Sequence, residues 1–439
     1  MKKHLKHHFW KNTARTLICT LLLSTTVPTV AQAGGLTEAP PAGAAGAVGG
    51  AGAGATVPAA PGTLLSKSPV TDAIPGLGNA FRITYASTTT EGDPTTVTGF
   101  LIEPTTAWQG PGPQPTLVMA PGTRGQAEIC GPSGARSLIG DFDPKYGSLN
   151  INYELPQAYA AAAKGLRVVM TDYMGLQPHA AQIHRYVNTL DAAHAVLDAG
   201  RAALKAGDLP PNSPILFYGY SQGGGAVAAA AENLPDYAPD LNLKGSFAGA
   251  PPADLQEVIP VIDGTAIMGV LAYALGGMRI RDHAAYEAVV KYFNPHGLEV
   301  IDQVAHTCVP DMAARFGFKS TREFTTDGSN FADIMAREPE VRAYLERQRI
   351  GKKPLSTPML VVSGRYDDIV PFAQARTMAE NFCKSGGQVF FFTDETLPVP
   401  GGIGVNHLAP KSNTWQRAMD YLIGRLDPAQ EVPVNCGAF

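Results

Sequence analysis

Ser221 stands in Gly219-Tyr220-Ser221-Gln222-Gly223, a spacing suited to presenting a hydroxyl nucleophile on a sharp turn from strand to helix. The apolar residues Ile215 to Tyr218 after Pro214 read as a short buried strand, and the Ala-rich run Ala226 to Glu232 as a helix. Side chains two residues either side of the serine would collide in so tight a turn, and glycine at both positions removes them. The turn also aims Ser221 at the positive end of the following helix, where the Gln222 backbone N–H can bind a developing oxyanion.

A serine hydroxyl is a weak nucleophile until a base takes its proton, and the base needs an acid to orient it. Where this turn is used, the chain order is Ser, then Asp or Glu, then His. Gly364-Arg365-Tyr366-Asp367-Asp368-Ile369-Val370-Pro371 follows a buried strand and offers Asp367 or Asp368. His407, read as part of a Gly-rich loop, is the only histidine downstream of either. His179, His184, His194, His283, His296 and His306 precede the acid and are expected to serve structure or solvent, and Asp172 comes before the nucleophile. A second oxyanion donor is expected from the loop Pro121-Gly122-Thr123-Arg124-Gly125, with the Thr123 N–H as the candidate.

The elements that must position these residues alternate. Ala80 to Tyr85 and Thr96 to Ile102 read as a hairpin. Pro115 to Ala120, Gly165 to Asp172, Leu243 to Ala250, Thr357 to Gly364 and Gln388 to Thr393 read as further strands, with helices over Leu155 to Lys164 and residues 189–206. This rhythm predicts an α/β fold, a mostly parallel, doubly wound sheet with helices on both faces. It stops between about Asp254 and Lys353, where the period is mostly helical, so residues 63–253 and 354–439 are expected to form the sheet domain and 254–353 an inserted helical cap. The Met- and Leu-rich stretch Ile267 to Met278 either lines a substrate groove or is ordinary core helix, and Gly269 and Ala272 are the positions where bulk should alter such a groove.

With 439 residues, 45% hydrophobic, the chain can bury a large core, and a net charge of -4 provides no basic field for nucleic acid. The apolar run Thr16 to Leu23, leading to Ala31-Gln32-Ala33, predicts a signal peptide over residues 1–33, and the Gly/Ala/Pro-rich segment 34–62 a disordered tether. The chain is thus expected to be secreted, with association to the cell envelope open. Cys130, Cys308, Cys383 and Cys436 remain after the signal, an even number that predicts two disulfides. No Cys/His spacing suits zinc, and neither metal nor cofactor is expected.

Together these residues resemble the secretory lipase family, whose best-known member is the yeast lipase A, and especially its bacterial branch. The likeness runs from about Phe81 to Cys436. It rests on the Pro-Gly-Thr loop followed by Cys130-Gly131-Pro132-Ser133, on Thr171-Asp172-Tyr173-Met174-Gly175-Leu176, Leu197-Asp198-Ala199-Gly200-Arg201-Ala202-Ala203, the serine turn, the acid loop and His407. The resemblance implies an α/β-hydrolase with a helical cap, acting on acylglycerols or other esters; transient contact with a lipid interface is left open. It also implies the pairs Cys130 with Cys308 and Cys383 with Cys436, and an acid in a G-x-x-D-x-x-V-P loop, which selects Asp367 over Asp368 on the premise that neighbours in an extended segment point to opposite sides. Gln177 and Gly131 depart from the commoner Gly and Ala at those places. A peptidase or acyltransferase on the same fold, and a non-catalytic envelope-binding protein, are the alternatives.

Overall fold

The computed structural model describes residues 58–71, 76, 78–177, 180 and 183–439. The signal peptide expected over 1–33, most of the tether and His179 lie outside the described residues. The last tether residues lie inside them: the Gly62 N–H donates to the Ala86 carbonyl at 2.8 Å, tying Gly62 to the sheet.

Among the described residues, nine strands form one sheet. Its strands are β1 (Leu64–Pro69), β2 (Asn79–Thr88), β3 (Pro94–Glu103), β4 (Thr116–Ala120), β7 (Arg167–Thr171), β8 (Pro214–Tyr220), β9 (Asn242–Gly249), β10 (Met359–Gly364) and β11 (Val389–Asp394). They lie in the order β1-β2-β3-β7-β4-β8-β9-β10-β11. The strands from β7 to β11 run parallel, and β1, β2 and β3 add an antiparallel edge. β5 (Gly140–Asp143) and β6 (Ser148–Ile151) form a separate hairpin.

Alternate residues of the central strands feed two cores, as the pleat requires. Val118, Phe217 and Val361 face α2 (Thr189–Ala206) and α3 (Gln222–Tyr237), whose many alanines let the helices approach closely. Leu117, Leu216 and Leu360 face α1 (Leu155–Ala163) and α13 (Trp415–Gly424) on the other side. α11 (Phe372–Lys384) follows β10 and α12 (Val405–Asn413) follows β11. β1 has mostly exposed side chains around Lys67, which suits an edge.

Between β9 and β10 the chain forms α4 (Leu255–Ile262), α5 (Val270–Arg281), α6 (His283–Val290), α7 (Pro295–Val304), α8 (Val309–Phe316), α9 (Phe331–Arg337) and α10 (Pro339–Arg347). Side chains of Asp254, Asp282, Asn294 and Asn330 cap four of these helices, and an apolar cluster of their own joins them. Disulfides join Cys130 to Cys308 and Cys383 to Cys436, the pairs implied by the family resemblance.

Candidate active site

The serine turn stands at the carboxyl end of β8. Ser221 adopts φ 59°, ψ -124°, and its N–H donates to the Gly249 carbonyl at 2.8 Å, fixing the turn to the end of β9. A Cβ on Gly219 would lie 2.1 Å from the Gly223 carbonyl oxygen, and one on Gly223 would lie 2.0 Å from that of Ala120. Neither contact is sterically possible, so both glycines are required by close backbone approach.

His407 reaches this turn from the far edge of the sheet. Its Nε2 lies 2.8 Å from Ser221 Oγ and its Nδ1 2.8 Å from Asp367 Oδ2. An acceptor at Nδ1 keeps the proton there and leaves the Nε2 lone pair facing the serine hydroxyl. The other Asp367 oxygen accepts the N–H groups of Ile369 and Val370 at 2.9 and 2.8 Å, so the carboxylate is fixed at both ends. The Tyr220 hydroxyl donates to the His407 carbonyl at 2.7 Å, and burial holds that phenol well above its ordinary pKa.

Two sequence expectations need correction here. His407 sits not in a loop but in the first turn of α12, after the Gly-rich segment 401–404. Nor is the acid segment extended: the Asp367 N–H donates to the Gly364 carbonyl at 3.3 Å, closing a turn. Asp367 and Asp368 therefore both face α12, Asp367 through the imidazole and Asp368 through the backbone N–H groups of His407 and Gly404 at 3.2 and 3.0 Å.

The Thr123 loop follows β4, the neighbour of β8, and Thr123 and Gln222 line a pocket with Ser221. Among the described residues neither the Thr123 nor the Gln222 N–H has a partner, whereas Gly122 donates its N–H to Glu154. The Thr123 carbonyl accepts from the Tyr153 hydroxyl at 2.9 Å, and its side chain hydrogen-bonds Tyr186 at 2.8 Å. Burial raises the Tyr186 phenol to about 12. The Gln222 side-chain amide meets His184 Nε2 at 2.9 Å, while His184 Nδ1 meets the Met174 carbonyl at 2.9 Å. Burial lowers His184 to about 4, so it is neutral at neutral pH and its Nε2 accepts from Gln222.

The other early residues fill structural places. Asp172 accepts from the Ser133 N–H and from the hydroxyls of Ser133 and Thr98, holding the loop after Cys130. His194 stacks on Tyr237, His306 stacks on Tyr146, and His283 and His296 lie beside glutamates of their own helices. Gln177 accepts the Gly175 N–H at 2.7 Å, and a Cβ at Gly131 would press to 3.0 Å from the Leu176 carbonyl, so both departures fit this backbone.

From Ser221 the pocket continues between helices, lined by Val258 and Ile262 of α4, Val270, Leu271 and Ala274 of α5, and Phe331 of α9. The α5 residues recur at helical spacing on one face. Gly269 and Ala272, singled out from the sequence, do not line it, and a Cβ on Gly269 would meet Met312 instead.

A family profile, Secretory lipase, matches residues 142–433, well over half of the chain. The chain belongs to the secretory lipase family. It is a carboxylic-ester hydrolase by that membership. Among its relatives, a Mycobacterium tuberculosis protein named a probable inactive lipase is 27% identical over 76% of this chain and 74% of its own length. A secreted triacylglycerol lipase of Malassezia globosa is 32% identical over 45% of this chain; the match spans 44% of that protein. The fold is that of Candida antarctica lipase A in its closed state (TM-score 0.71, 19% identity, 86% of this chain and 85% of that one). It is equally that of a rice cell wall degrading esterase from Xanthomonas oryzae (TM-score 0.67, 24% identity, 84% of this chain and all of that one).

This chain thus has the mostly parallel, helix-flanked sheet expected from the strand and helix rhythm, and the α/β-hydrolase fold that the family resemblance implied. Glu154, Lys411, His184 and Tyr153, all within contact of the site, carry no motif. The one available signal is that Lys411 lies a helical turn after His407, visible only once residues 405–413 are known to be helical.

Proposed function

We propose that this secretory lipase cleaves acylglycerols or related carboxylic esters through a serine acyl-enzyme. Ser221 attacks the ester carbonyl as His407 takes its proton. Asp367 holds the imidazole tautomer and stabilises the imidazolium, and the Thr123 and Gln222 N–H groups receive the oxyanion. His407 then returns the proton to the leaving alcohol, and water repeats the sequence on the acyl-enzyme. The hydrogen-bonded line from Asp367 through His407 to Ser221 is the observation that carries this reading.

Residues 254–353 serve in this reading as a cap, and the apolar pocket beneath them takes the acyl chain, a role supported by its mostly apolar lining. Leu397, Val399 and Leu408, exposed around the base helix, are apolar groups available for transient contact with a lipid interface. Residues 1–33 act as the export signal and the segment after them as a tether. The relative named inactive makes a non-catalytic role the rival reading, and the closed triad geometry of this chain favours catalysis over it. The deciding experiment is a hydrolysis panel from short to long acyl esters beside a peptide amide, on the parent and Ser221→Ala, with fluorophosphonate labelling. Ester turnover and labelling that both vanish in Ser221→Ala are expected; a parent that neither labels nor hydrolyses any ester sinks the reading.

A further inference from the structure

One buried carboxylate touches both halves of the site. The Glu154 side chain is 1% exposed, and its two oxygens lie 3.2 and 3.1 Å from the Gly122 N–H. Its Oε1 also accepts from Lys411 Nζ at 3.1 Å, and the Lys411 side chain is itself 7% exposed. Lys411 follows His407 by four residues on α12, so the two share a helix face. Tyr153, the residue before Glu154, donates its hydroxyl to the Thr123 carbonyl at 2.9 Å, and Lys411 Nζ sits 4.5 Å from the centre of its ring.

The loop is therefore held at two peptides, the one ending in the Gly122 N–H and the one beginning at the Thr123 carbonyl. Between them lies the peptide that carries the Thr123 N–H. With its neighbours fixed on both sides, that N–H has little freedom to rotate away. The group fixing the first neighbour is ion-paired to the helix of the base.

We infer that the buried Glu154–Lys411 pair is a positioning device that sets the Thr123 N–H at a fixed distance from His407. The oxyanion donor and the proton acceptor then hold one geometry through the reaction. This rests on the reading of Thr123 as an oxyanion donor. Misplacing a reacting group by about an ångström costs on the order of a hundredfold in rate.

The test uses the full chain with a short-chain ester, and an arylboronic acid whose serine adduct mimics the tetrahedral intermediate. Glu154→Gln and Lys411→Met should each lower kcat by about ten- to a hundredfold with KM within about threefold. Boronate affinity should weaken in proportion to kcat/KM, and Lys411→Arg, which keeps charge and donors, should recover most of the loss. The double variant Glu154→Gln/Lys411→Met leaves no buried unpaired charge; it should regain melting temperature but not turnover. Folded variants with kcat and boronate affinity within about twofold of the parent overturn the inference, as does a double variant that regains both stability and turnover. If the single variants do not fold, the double variant decides by the same two readouts. A parent that hydrolyses no ester overturns the functional reading and this inference together, whereas an active parent with unaffected variants overturns this inference alone.

Discussion

The Asp368 carboxylate accepts the backbone N–H of His407 at 3.2 Å, so the residue beside Asp367 holds through the main chain the same histidine that Asp367 holds through its ring. The two aspartates do separable work. Asp367→Asn should fold and lose about 10³- to 10⁴-fold in kcat, because the amide no longer enforces the imidazole tautomer. Asp368→Asn keeps an oxygen for the first turn of α12 and loses the charge there, so turnover should stay within about tenfold and stability fall by about 1 kcal/mol. Steady-state rates and thermal unfolding of the two variants check this, and the reverse pattern in folded proteins would show that Asp368 is the acid.

The apolar pocket beside Ser221, proposed to take the acyl chain, makes a second prediction. Ala274→Phe places a ring on the α5 face that lines the pocket, and should lower turnover of long acyl esters by about tenfold or more relative to short ones. Gly269→Val points instead at Met312, where overpacking should cost about 1–3 kcal/mol and leave chain-length preference unchanged. A chain-length series on both variants, with melting temperatures, separates the outcomes; an unaltered profile in Ala274→Phe would place the acyl chain elsewhere.

These cases mark how far the sequence is legible. The central strands were readable because they are buried on both faces and run apolar from end to end, and the serine turn because its glycines answer to local backbone collisions. α12 was not, since Val405–Asn413 contains Pro410 and no sustained apolar period, and its first turn is held by Asp368 from another loop. β1 and the β5–β6 hairpin were not, because short or exposed strands show no alternation that marks a buried face. The facing direction of Gly269 depended on where α8 places Met312, a tertiary fact with no local trace. Glu154 and Lys411 lie 257 residues apart, and their pairing is a tertiary contact with no local trace.

The Cys383–Cys436 bond closes a segment of 53 residues that holds β11, α12 and α13. In the chain-entropy account such a loop contributes about 4 kcal/mol by restricting the unfolded chain. Cys383→Ala/Cys436→Ala should therefore unfold at clearly lower urea concentration, with ester turnover of the folded protein little changed. Equal midpoints for the parent and the double variant would remove this contribution.

His184 supplies the last prediction, a pH dependence of stability. Its imidazole takes a proton near 6.5 when free, and only near 4 when buried against Met174 and Gln222. Between those values the unfolded chain binds a proton that the folded chain does not. The stabilisation is thus complete above about pH 6.5 and is lost as pH falls toward 4, on the order of 3 kcal/mol in all. Protonation would also turn Nε2 from acceptor to donor, opposing the Gln222 amide beside Ser221. Urea unfolding at pH 7 and pH 4.5 should show a smaller loss for His184→Gln than for the parent, since glutamine does not titrate there. If both proteins lose the same stability between these two pH values, the acid sensitivity arises from other groups and His184 is not its source.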